Sequence, residues 1–100
     1  MECNIAEDKG SLKVQMKGKL TFADSQYFQQ IIKRLPDEHI RSLDIKIEEL
    51  TYVDSSGIGL LLMLKDKCDE AQVSLTLCNP QGQVRKLVEL ARLDQVLPFI

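Results

Sequence analysis

Asp54-Ser55-Ser56-Gly57-Ile58-Gly59 places a carboxylate, two hydroxyls and two glycines where an alternating apolar segment gives way to a leucine-rich one. Local chemistry accounts for part of it. Asp and Ser side chains accept hydrogen bonds from the unpaired first-turn amides of a helix, and Gly57 lets backbone pack closely. Catalytic chemistry fits poorly. Gly57-Ile58-Gly59 lacks the Lys-Ser/Thr pair of a phosphate-cradling loop and the third glycine of a dinucleotide fingerprint. Carboxylates are plentiful, but no pair occupies an identifiable apolar pocket that would separate an acid from a base. His39, the only histidine, lies in the polar run Pro36-Asp37-Glu38-His39 and reads as a solvated loop residue, which argues against a Ser-His nucleophile.

Cys3, Cys68 and Cys78 are odd in number and widely spaced, matching neither a zinc pattern nor a redox pair. They fit a reducing cytoplasm, with Cys68 and Cys78 as small core residues. No metal or cofactor is expected. The chain has 13 Lys+Arg against 15 Asp+Glu, a net charge of -2 with interspersed signs. That gives no footprint for nucleic acid or an anionic membrane surface. No apolar stretch is long enough to suggest membrane insertion, and the acidic first residues do not read as a secretory signal.

The elements that position the central segment follow from periodicity. One domain over residues 1–100 is expected, without repeats or linkers. Leu12, Val14 and Met16 alternate with polar residues as a half-buried strand, and Cys3-Asn4-Ile5-Ala6 is its hairpin partner across Gly10. Thr21 and Asp24 suit a helix-start cap, a role preferred for Asp24 and Ser25 over a place on a binding surface. Phe28, Ile31, Ile32 and Leu35 recur at helical spacing until Pro36. Leu43, Ile45 and Ile47 form another strand, a helix runs from about Ser55 to Ala71, and Val73, Leu75 and Leu77 alternate again. Asn79-Pro80 predicts a cap and first turn for a helix with stripe Val84, Leu87, Val88 and Ala91. Gln95 to Ile100 predicts a short edge strand limited by Pro98. Strands joined through helices imply parallel pairs, so the expected fold is a small α/β domain. It has a mixed sheet of four to five strands and about three helices.

On the predicted central helix, Gly57, Leu60, Leu61, Leu64, Cys68 and Ala71 share one face, the natural core stripe. Ile58 and Leu62 fall on another, with Lys65, Asp66 and Asp69, and Ser55 projects onto it at the helix start. Two readings stay open: a neighbouring element covers Ile58 and Leu62, or they centre a docking surface with a polar rim.

The Asp54–Gly59 segment, after an acidic-apolar strand and before a Leu-rich helix, resembles the STAS domain, and within it the stand-alone anti-sigma factor antagonists of bacteria. The resemblance spans nearly the whole chain, taking in Gly18-Lys19-Leu20-Thr21 and the Asn79-Pro80…Val84-Arg85-Lys86-Leu87 region. It implies a cytoplasmic regulator, not an enzyme, whose first serine after the aspartate is the phosphoacceptor. On this chain that is Ser55, with Ser56 ranked second. Asp54, Ser55, Ser56, Gly57, Ile58, Leu62 and Lys65 would contact the partner. Implied partners are a protein serine kinase acting as anti-sigma factor, or a response regulator with kinase and phosphatase activity. The free chain would be monomeric. The chain's end at Ile100 implies that the long final helix of some relatives is missing or reduced, and Phe22-Ala23-Asp24-Ser25 departs from the usual pattern. The alternative is a constitutive STAS scaffold subunit docked on the ATPase of a lipid-transport ABC system.

Overall fold

Lys9 and Gly10 both adopt positive φ, 51° and 86°, so a two-residue turn joins β1 (Glu2–Asp8) to β2 (Ser11–Leu20). Such a turn carries the twist that the flanking strands require. Ile5 pairs with Val14 and Cys3 with Met16 in the resulting antiparallel ladder. The computed structural model describes residues 1–100. After β2 come a 3-10 turn (Phe22–Asp24) and α1 (Ser25–Arg34), then β3 (Ser42–Val53), α2 (Ser55–Ala71), β4 (Ser74–Cys78) and α3 (Gly82–Leu90), with a last 3-10 turn at Leu93–Gln95.

The four-stranded sheet runs β1-β2-β3-β4. β3 lies parallel to both β2 and β4, so the sheet is mixed, as the strand-helix alternation predicts. Alternation separates its faces. Leu12, Val14, Met16, Leu43, Ile45, Ile47, Leu75 and Leu77 turn to one side and join α1 and α2 in a single cluster of 22 buried residues. The opposite face is polar: Lys13 pairs with Asp44 at 3.4 Å, and the Ser42 hydroxyl donates to that of Ser11 at 2.9 Å.

Four expectations need correction. Asn79 has a φ of 60°, which cannot serve as the extended cap of a helix, so α3 starts at Gly82 with Gln81 as its cap residue. Ala91 is exposed and off the stripe, because α3 ends at Leu90 and the chain swings away at Arg92, whose φ is 52°. The predicted final strand reduces to one bridge, Leu77 with Phe99. Residues 93–95 are spent on the 3-10 turn, and Pro98 can accept from the Leu77 amide at 2.9 Å but cannot donate. Cys78 points to the polar side of the sheet and is half-buried, whereas Cys68 is fully buried on the core side of α2. Burial above all, with Asp69 beside it, pushes the Cys68 thiol up to about 11.

Candidate functional site

The corner between β3 and α2 is fastened at four points. The Asp54 amide donates to the Leu20 carbonyl at 3.2 Å, tying the corner to the end of β2. One Asp54 carboxylate oxygen accepts the Gly57 amide at 2.7 Å, and the Asp54 carbonyl accepts the first helical bond from Ile58 at 3.0 Å. With φ of -92° and ψ of 179°, Asp54 is the N-cap of α2.

Gly57 supplies the fourth fastening. A Cβ there would stand 2.6 Å from the Leu20 carbonyl oxygen and 2.9 Å from Val53 Cγ1. The helix therefore sits directly on the end of β2 only because this position has no side chain. Gly57 is buried, so within the group Asp54, Ser55, Ser56, Gly57, Ile58, Leu62 and Lys65 its contribution is to the scaffold beneath the surface.

Ser55 and Ser56 are exposed on the first turn. Leu62 is 37 % exposed, but Ile58 is half-buried, so the two residues that the helical wheel groups together separate. Ile58 packs toward α3, lining a small all-apolar gap with Leu61, Val84, Leu87 and Phe99. Lys65 reaches one turn along the helix, donating to the Asp69 carboxylate oxygens at 2.9 and 2.8 Å. An exposed pair of this kind contributes little stability, but it holds the ammonium over α2.

Phe22 was not singled out by residue type or spacing, yet it is 67 % exposed on the 3-10 turn that packs against α2. Its presentation comes from the turn's caps. The Thr21 hydroxyl accepts the Ala23 amide at 3.3 Å, and the Thr21 amide donates to Asp24 at 2.9 Å. Asp24 is thereby buried and committed to the turn, in keeping with the capping role assigned to it. A Thr-x-x-Asp box closing on itself leaves the residue after the cap outside, which is the signal that could have located Phe22.

The sequence profile of the STAS domain matches residues 2–100. The chain belongs to the STAS family. It is 32% identical over 91 residues to a STAS-domain containing protein of Pseudomonas aeruginosa strain UCBPP-PA14, covering 89% of this chain and 87% of that protein. It is 22% identical over 103 residues to an anti-sigma F factor antagonist of Paenibacillus polymyxa, with 99% and 86% covered. The fold matches that of the anti-sigma factor antagonist SpoIIAA in its unphosphorylated form, with a TM-score of 0.81, 21% identity, and 99% and 88% of the two chains covered. The match to SpoIIAA of Bacillus in the phosphorylated form has a TM-score of 0.75 at 20% identity, with 99% and 91% covered. Membership of the STAS family therefore accounts for the α/β topology. No helix is long and apolar enough to cross a membrane.

Proposed function

We propose that this STAS chain is a phosphorylation-switched binding regulator, acting as anti-sigma factor antagonists do, with Ser55 as the phosphoacceptor. The exposed Ser55 hydroxyl, on the first turn of a helix whose cap is already satisfied by Asp54, carries this reading. A partner kinase transfers the γ-phosphoryl group of ATP to Ser55 Oγ and releases ADP. A phosphatase hydrolyses the ester and releases phosphate. The chain itself supplies the acceptor and the docking surface, so all of the catalysis lies with its partners.

Helix geometry supports such a switch. A phosphoserine adds about 1.5 to 2 negative charges at neutral pH. The positive end of α2 tolerates an anion, so the fold persists. A partner surface packed over Ser55 would have to desolvate that charge beside Asp54, and binding would suffer. Discrimination of one to three kcal/mol corresponds to roughly ten- to a hundred-fold or more in affinity. The unphosphorylated form is the binding-competent one; Ser56 and the exposed edge of Ile58 adjoin the acceptor, and Leu62 and Lys65 extend the surface about two and three turns along α2.

Ser55→Ala and Ser55→Asp decide it. Each tagged variant would be used to capture proteins from cells of the encoding organism, with bound partners quantified by mass spectrometry. A partner retained by wild type and Ser55→Ala should fall about tenfold or more with Ser55→Asp, while both variants melt like wild type. Equal retention by the two variants sinks the switch.

A further inference from the structure

The two glycines of the central segment differ in what the fold asks of them. Gly57 is sterically required. Gly59 is helical and exposed, and a Cβ built on it meets nothing within 4 Å. Glycine is a poor residue for the exposed interior of a helix, since it loses more backbone freedom on folding than alanine does. Nothing within the chain compensates for that loss. The remaining use of a bare Cα is close approach by another molecule.

Position says which molecule. Gly59 lies one helical turn beyond Ser55, on the same side of α2, and Leu62 and Asp66 continue the line. The apolar Leu62 is 37 % exposed, and Phe22 stands 67 % exposed on the turn that packs against α2. Asp66 is exposed and, unlike Asp69 and Glu70, has no ion-pair partner. Because Ser55 belongs to a formed helix, a kinase must seat α2 itself rather than thread an extended peptide. Bringing the γ-phosphate to Ser55 Oγ carries the rim of the catalytic cleft across the next turn.

We infer that Gly59 sets how closely the kinase that modifies Ser55 can approach α2, and that the kinase surface crossing it is apolar against Leu62 and cationic against Asp66. This rests on Ser55 being the acceptor. It assigns Gly59 as a positioning residue: it touches neither ATP nor the transferred group, and acts through the distance at which the two proteins pack.

The experiment uses the full chain, ATP and a cell extract of the encoding organism as the kinase source, with phosphate on Ser55 followed by mass spectrometry. Gly59→Ala should raise the melting temperature by about 4 °C, because only backbone entropy changes. It should nevertheless slow Ser55 phosphorylation by about tenfold, the effect of overpacking a fitted contact. Gly59→Leu should slow it further without unfolding the chain, and Asp66→Lys should slow it with the backbone untouched. Gly59→Ala phosphorylated as fast as wild type overturns the inference while leaving Ser55 as the acceptor. A wild-type chain that gains no phosphate at Ser55, from extracts of any growth phase, sinks the acceptor assignment and this inference together.

Discussion

α2 and α3 both begin after a strand, but their first turns are built in opposite ways. α2 has a side-chain cap from Asp54, a backbone tie from Asp54 to Leu20, and a glycine wedged against β2. α3 has Gln81 at its cap position with no side-chain bond, and Gly82 at a φ of 54° as its first residue. It buries only Val84 and Val88, against five residues buried by α2. Fastening is thus concentrated where the exposed serines are. A charge added at Ser55 meets a helix start that is already capped by Asp54 and tied to β2, so it alters the surface presented to a partner before it alters the structure. The same charge at the start of α3 would meet amides without a side-chain acceptor and a shallower buried stripe.

The largest effect expected from this contrast is at Gly57. Gly57→Ala forces a Cβ against the Leu20 carbonyl oxygen at 2.6 Å, and neither the strand end nor the helix start can yield without losing its hydrogen bonds. Overpacking of this kind typically costs about 1–3 kcal/mol, and contact with backbone places it near 3. The shift in the urea midpoint at constant slope measures it. A loss below about 1 kcal/mol would mean that the corner relaxes easily and that α2 is not fastened in the way described. Gly59→Ala, two residues on, has the opposite expected sign.

Next in size is Asp54→Ala. Removing an N-cap acceptor typically costs about 1 kcal/mol, and the loss of a negative charge at the positive helix end adds to it. Urea denaturation at neutral pH would show a lower midpoint, and Asp54→Asn should recover much of it because the amide oxygen can still accept. A variant as stable as wild type would show that the backbone tie and Gly57 hold the corner without the cap.

The same contrast marks how far the residues reveal the fold. α2 was legible to its ends, Ser55 and Ala71, because a capping carboxylate and a five-residue buried stripe agree with each other. The hairpin was legible from alternation on either side of Gly10. α3 was not: Asn79-Pro80 has the composition of a cap, but Asn79 turns left-handed to end β4, and no periodic pattern signals a positive φ at Asn79 or Arg92. The partial covering of Ile58 was also out of reach, since it depends on where α3 and Phe99 settle after long-range packing. Phe22 belongs to a segment that departs from the family pattern, but its exposure has no periodic signature. That exposure is set by the local Thr21–Asp24 box.

The smallest expected effect tests the weaker of the two helix starts. Gln81 has φ of -129° and ψ of 162°, the extended backbone a cap residue needs, but its side chain makes no bond to the first turn. Serine at that position has a hydroxyl short enough to accept the amide of Gln83 or Val84, and because Gln81 is exposed its removal leaves no cavity. Gln81→Ser should therefore stabilise the chain by about 0.5–1 kcal/mol, read as a small upward shift in the urea midpoint. The contrast makes the sign informative: adding a cap can only help where one is missing. A neutral or destabilising result would mean that α3 begins at a different residue, and that the difference between the two helix starts lies in buried area alone.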